Sequence, residues 1–161
     1  MAPTPFDQAV VVLRDEAATR VLPAERVPLH AAHGRVLATD LVAPIDVPGF
    51  ANAAMDGYAL RTEGRGARAG QRFRVADLAL AGSEIAAIAG PGDCAEIATG
   101  AALPEGADSV VPYELVRRDG DGMVLGADVP AGQHVRGATD DYARGQRALV
   151  AGRVLDAGAL G

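Results

Sequence analysis

Turn-forming residues interrupt this sequence at short intervals. The 161 residues include 20 glycines and 10 prolines. That density favours many short strands over a helical bundle. From Pro48-Gly49 onward, the extended candidates "YALR", "RFRVADLAL", "CAEIA", "DSVVPYELV", "GMVL" and "HVR" are separated by "EGRGARAG", "GPGD", "LPEG", "DGDG" and "PAGQ". Apolar runs bounded by such clusters read as strands joined by turns, so this part of the chain is expected to be a small β unit with hairpins. "RDGDGMV" reads as one hairpin, because a turn glycine supplies the positive φ that a tight connection needs. Its D-x-D-G piece is also similar to a calcium loop, but the glutamate at the twelfth position is missing.

The start of the chain has another texture. Thr4 can cap a helix, with Pro5 at its first position and Asp7 in its first turn. Phe6, Ala9, Val10, Leu13 and Ala17 follow at helical spacing, Arg20 suits the C-terminal end, and Pro23 stops the pattern. One apolar stripe must pack on something. "RVPL" reads as a short strand, and "HAAHGRVLATDLVAP" as a short helix running into an extended segment. After Gln146, "RALVAGRVLDAGALG" resumes an Ala/Leu/Val pattern that stops at Gly161, which reads as a truncation. Hydrophobic residues make up 49% of the chain and tryptophan is absent, so the core must be built from Ala, Val, Leu and Ile. The length suits one domain or two small lobes.

Charge and composition exclude several classes of partner. The formal net charge is −6, and no basic cluster appears beyond Arg117-Arg118, which argues against nucleic acid. Apolar runs such as 9–13 are too short to cross a membrane. "MAPTPFDQ" has no signal-peptide pattern. Cys94 is the one cysteine, so no internal disulfide forms, and the expected location is cytoplasmic.

Three loops carry the chemistry-bearing side chains. In "GFANAAMDGYALR", Asp56 is the one acid and has no cation nearby in sequence. It marks either an ordinary Asp-Gly turn or a carboxylate that meets a partner brought by folding, a ligand or another chain, and Gly57 permits close approach. In "EIATGAALPEGADSVVPYE", Thr99 can donate to an anionic oxygen while Gly100 bares backbone amides, or the pair is a plain turn. In "HVRGATDDYARG", Asp140 and Asp141 follow Arg136 and form either a cation site or a solvated acidic loop. His30 and His33 lack further ligand candidates and read as structural. Cys94 is placed in a turn without a basic activator.

In their order and spacing, "NAAMDGYAL", "IATGAALPEGADSVVPYE" and "HVRGATDDYARGQ" resemble the N-terminal region of the molybdopterin molybdenumtransferase family, the MoeA, gephyrin and Cnx1 E-domain proteins. The family reads N-S-A-M-D-G-Y-A, then R-I-x-T-G-A-x-L-P-x-G-A-D-x-V-V-x-x-E, then V-R-x-x-G-E-D-x-x-x-G, and the resemblance covers almost the whole chain. It implies an elongated, mainly β fold with a few helices. One lobe is formed by residues 1–44 and 136–161, with a β-rich lobe, 45–135, inserted into it. It implies molybdate insertion into adenylylated molybdopterin, with release of AMP and with magnesium. The cleft is shared between these lobes and the molybdopterin-binding domain of a second protomer in a homodimer. It also points to molybdopterin adenylyltransferase as a protein partner.

On that match Asp56, Thr99 and Asp141 are the catalytic positions, and Gly57, Gly100 and Arg136 line the substrate. Asp56 and Asp141 would act through Mg2+ or take a proton from water, and Thr99 would bond an oxyanion. The chain departs from the pattern at four places. Glu96 stands for the arginine, Ala53 for the serine, Ala51 for a common aspartate, and Thr139 for the glycine of G-E-D. Nothing matches the molybdopterin-binding or C-terminal domains, so the fragment alone is expected to be inactive. The alternative is a gephyrin-like scaffold module without catalysis.

Overall fold

The computed structural model describes residues 5–20, 22–83, 87–88 and 90–161. These residues form a mainly β protein. Its strands are β1 (Leu41–Val42), β2 (Asn52–Ala53), β3 (Gly57–Leu60), β4 (Arg72–Ala79), β5 (Asp93–Ile97), β6 (Ser109–Pro112), β7 (Val116–Asp119), β8 (Gly122–Leu125), β9 (Val135–Arg136) and β10 (Arg147–Leu149). The helices are α1 (Phe6–Thr19) and α2 (Ala157–Leu160). None is long and apolar enough to cross a membrane. The chain divides into two compact units, Met1–Leu41 with Leu149–Gly161, and Val42–Ala148. The expected crossings at 44/45 and 135/136 thus compare with 41/42 and 148/149. The reason is local pairing: Tyr142 N donates to Val47 O, and Gly145 N to Ala43 O, which keeps 136–148 with the inserted unit.

The larger unit is built on a six-stranded sheet in the order β6-β3-β5-β4-β8-β7. Its pairs are antiparallel except β4 with β5, which run parallel and shift register between Val75 and Asp77. The sheet is apolar on both faces. Tyr58 and Leu60 join Phe73, Cys94, Val111 and Met123 in one cluster, whereas Ala59 joins Ala95, Ile97 and Val110 in the other. This alternation follows from the two-residue period of a strand. It explains why β3 and β6 read as unbroken apolar runs. Each large side chain removed from water stabilises by about 1.5–3 kcal/mol.

Gly57 begins β3 and is buried. A methyl group there would overlap the Val111 carbonyl of β6, so strand packing itself requires glycine. β7 and β8 form the expected hairpin, with Asp119 opposite Gly122 and Gly120 at φ 62°. Cys94 lies in β5 rather than in a turn, and it is fully buried. Burial, followed by the neighbouring Asp93 charge, pushes its thiol up to about 12, which makes it unreactive.

One partly buried connection fixes the loop after β3. Asp108 Oδ1 accepts from Thr62 N at 3.0 Å and Thr62 Oγ1 at 2.8 Å, and Oδ2 accepts from Gly64 N at 2.7 Å. Ser109 Oγ also donates to Asp108 Oδ1 at 3.2 Å. Burial pushes this carboxyl up, but the donors of Gly64, Thr62 and Ser109 outweigh it and hold the group below the usual carboxylate range.

The smaller unit differs from expectation at its start. α1 begins at Phe6, so Pro5 is its cap rather than its first residue, and Ala9 N donates to Pro5 O at 3.0 Å. The expected Thr4 cap lies outside the described residues. No α1 residue is buried, Phe6 is 81% exposed and Leu13 is exposed too, so among the described residues the apolar stripe is covered only in part, at Ala9 and Val10. "RVPL" is not a strand. It leads into a 3-10 turn, Leu29–Ala31, closed by Ala31 N donating to Pro28 O at 2.9 Å. Pro28 lacks the N–H a ladder would need. Residues 34–37 pair instead with 152–155, through Gly34 N to Leu155 O and Leu37 N to Arg153 O.

Candidate functional site

The three chemistry-bearing loops meet at β2. On one edge, Asn52 and Ala53 lie opposite Arg136 and Val135 of β9. On the other, Gly100 N donates to Ala53 O at 2.9 Å, Ala53 N to Ala101 O at 3.1 Å, and Leu103 N to Ala51 O at 2.9 Å. Ala54 N then donates to His134 O at 2.9 Å. Segments far apart in sequence are thus held side by side by backbone bonds. Ala53 is 1% exposed among Ala59, Ala101 and Val110, which suits a small residue at that position.

Asp56 and Thr99 form a direct pair. Asp56 Oδ1 accepts from Thr99 N at 2.6 Å and from Thr99 Oγ1 at 2.8 Å. The backbone donor first, and the hydroxyl second, hold the Asp56 carboxyl below its ordinary value. Among the described residues its Oδ2 has no hydrogen-bond partner, and the side chain is exposed. The Thr99 hydroxyl therefore serves Asp56. Gly100 adopts φ 78° with open space where a side chain would stand, and its N–H is engaged by Ala53. Gly57 is buried beneath this corner and is explained by packing.

Arg136 and Asp141 form a second pair, with Arg136 Nη2 donating at 3.0 Å to Oδ1 and 3.3 Å to Oδ2. Asp141 N donates to Val47 O at 3.0 Å, which ties this loop to the segment ahead of β2. Asp140 turns back on its own loop and accepts from Gly137 N at 2.8 Å. Among the described residues no group of three or more His, Cys, Asp or Glu side chains could hold a metal ion. Magnesium typically uses one or two carboxylates with substrate phosphates and water. The open Oδ2 of Asp56 fits that limited demand, whereas the Asp141 carboxylate is engaged by a guanidinium.

A further polar group adjoins this corner and was not singled out for a role from sequence. Tyr113 Oη donates to Glu96 Oε1 at 2.8 Å, and its ring meets Tyr58 edge-on at 5.3 Å. Arg118 Nη2 lies 3.9 Å from Glu96 Oε2, and its Cζ stands 5.9 Å from the Tyr58 ring centroid. Burial and the bond to Glu96 push the Tyr113 phenol up, and the Asp56 charge reaches it as a smaller contribution. Glu96 and Tyr113 are 17 residues apart, so only the substitution of glutamate for the family arginine signalled this group.

The chain matches the family model described as MoeA N-terminal region (domain I and II) over residues 4–161. It is 35% identical over 159 residues to a molybdopterin molybdenumtransferase from Synechococcus elongatus, covering 96% of this chain and 40% of that protein. It is 36% identical over 138 residues to molybdopterin molybdenumtransferase 2 from Mycobacterium tuberculosis, covering 84% of this chain and 34% of that protein. The solved structure of the molybdopterin biosynthesis moeA protein from Pyrococcus horikoshii superposes with a TM-score of 0.86 at 31% identity, over 99% of this chain and 42% of the other. The chain therefore spans about two fifths of the length of these relatives. With two loop pairs gathered on β2 and a family match along nearly its whole length, the chain belongs to the family of MoeA N-terminal regions (domains I and II).

Proposed function

We propose that this chain supplies one wall of the cleft in which molybdate is inserted into adenylylated molybdopterin, with loss of AMP, in molybdenum cofactor biosynthesis. One observation carries the reading. Asp56 is an exposed carboxylate whose one oxygen is fixed by Thr99 and whose other oxygen is open. A carboxyl held below its ordinary value is a weak proton acceptor near neutral pH. Asp56 acts instead as a fixed negative charge, and Thr99 positions it. Magnesium, when bound, neutralises charge on phosphate oxygens, and Asp56 would be its one ligand from this chain. Asp141 positions Arg136, whose guanidinium bears on an anionic substrate beside β2. The isolated chain is inactive in this reading, and activity arises in the full-length homodimer.

The test uses a full-length molybdenumtransferase that carries this chain as its N-terminal region. Asp56→Ala is expected to lower molybdenum insertion at least about 100-fold, the scale of removing one preorganised charged or hydrogen-bonding group. Unchanged insertion with intact dimers would favour the scaffold role and overturn this one.

A further inference from the structure

Asp56 lies just before β3, and Arg61 just after it. Five residues of extended chain span about 17 Å, so the two ends of this strand serve separate places. At the Arg61 end, a cavity of about 210 Å³ opens between the loop after β3 and the turn before β5. Its walls include Arg61, Glu63, Arg65, Gly92 and Phe73, the last only 2% exposed.

The loop that carries both arginines is fixed by its own bonds. Asp108 holds Thr62 N, Thr62 Oγ1 and Gly64 N, all between Arg61 and Arg65. Thr62 Oγ1 in turn accepts from Gly66 N at 3.1 Å, and Thr62 O accepts from Arg65 N at 3.1 Å. Within this network Glu63 adopts φ 54°, a left-handed conformation uncommon for a residue other than glycine. Such strain persists where the surroundings over-determine it, and it collects at ligand sites.

The charges of the cavity are not satisfied within it. Arg61 Nη2 stands 3.9 Å from Glu63 Oε1, too far for a hydrogen bond. The Arg61 stem lies against the backbone of Gly106, where a side chain would meet its Cδ at 3.5 Å. The Arg65 side chain has no hydrogen bond or ion pair among the described residues. Arg68, three residues on, is by contrast engaged by Asp128 at 2.7 Å. Two arginines against one glutamate leave this cavity positive in a chain whose net charge is −6. A volume below the roughly 300 Å³ at which sites for drug-sized ligands begin suits a phosphate group and little more. Arg61 and Glu63 also border a second cavity of about 570 Å³, with Ile88 and Glu105, which has room for an attached organic group.

We propose that the smaller cavity binds a phosphate group, free or carried by a small organic molecule, with Arg61 and Arg65 as its charged ligands. Guanidinium donors match the oxygens of phosphate in geometry and charge. The site does not rest on the role proposed above for Asp56.

The test titrates the full-length protein that carries this chain with inorganic phosphate, and separately with phenyl phosphate. The amide NMR signals of Gly64, Gly66 and Gly92 are followed. Saturable shifts with a Kd of about 1 mM or tighter are expected. Arg61→Gln and Arg65→Gln are each expected to raise Kd about tenfold, the loss of one charge-assisted hydrogen bond, at an unchanged melting temperature. Arg65→Lys, which keeps the charge without the planar fork, is expected to fall between. Asp56→Ala is expected to leave the titration unchanged. Equal affinity for the two probes identifies free phosphate as the ligand, and tighter binding of phenyl phosphate identifies an organic phosphate. Shifts that do not saturate below about 10 mM with either probe overturn the proposal, as do titrations unchanged in both arginine variants. Loss of binding in Asp56→Ala also overturns it, because the phosphate would then sit at the other end of β3.

Discussion

Two aspartates in this protein grip a threonine in the same way and end in opposite situations. Asp108 accepts from both the N–H and the hydroxyl of Thr62, and Asp56 does the same with Thr99. At Asp108 the second oxygen is closed by Gly64 N, and Ser109 adds a further donor. At Asp56 the second oxygen has no partner among the described residues. The first arrangement is a loop clasp, complete within itself. The second is the same clasp left half open toward solvent, beside the meeting point of the three loops. An identical local bond pattern thus carries different meaning, and the satisfaction of the remaining lone pairs distinguishes them.

The comparison can be broken by exchanging outcomes. In the full-length enzyme, Asp56→Ala should give the largest effect, the loss of insertion of at least about 100-fold, with little change in melting temperature. Asp108→Ala should do the reverse. Removing a carboxylate that satisfies four donors is expected to cost about 2–4 kcal/mol, or roughly 5–12 °C in a thermal melt, with substrate handling intact in the folded fraction. Should Asp108→Ala melt like the parent, the clasp is not what holds the loop.

Acid unfolding sharpens the contrast. The folded Asp108 carboxyl lies below its unfolded value, so its contribution is present above the unfolded value near 3.8 and is lost as pH falls through the lower folded value. Asp108→Asn should therefore flatten the acid limb of a stability profile below about pH 4. An unaltered limb contradicts the assignment. The smallest effect is expected from Thr99→Val. It removes the hydroxyl but keeps the N–H, so the Asp56 titration followed by NMR should move only part of the way toward its ordinary value. No movement would mean that the hydroxyl does not contact the carboxylate in solution.

Much of the architecture was legible because short apolar runs were bounded by turn residues. β3, β4, β5, β6 and β8 all fall on such runs. Where the signal was ambiguous, proline decided. "RVPL" has strand-like residues, but Pro28 closes a 3-10 turn there. Cys94 reads as a turn residue although "CAEIA" reads as extended, and β5, which begins at Asp93, places it in the strand. The α1 stripe was readable, whereas its exposure was not, since periodicity shows a face but not its partner. Site side chains were legible as types and invisible as pairs. Asp56 and Thr99 are 43 residues apart, and Asp108 and Thr62 are 46 apart. Only strand register, set by the two-faced core, brings such residues together. In sequence Gly57 offers room for a ligand, but its neighbour Val111 accounts for the missing side chain instead.

The most direct measurement is molybdenum insertion by Asp56→Asn in the full-length enzyme, with its melting temperature recorded alongside. Asparagine keeps an oxygen for the Thr99 N–H and hydroxyl, removes the charge and turns the open oxygen into an NH2 donor. The account predicts a loss of at least about 100-fold at an unchanged melting temperature. Insertion at the parent rate would contradict it, because the open oxygen would then need no charge and the corner would be a turn like any other.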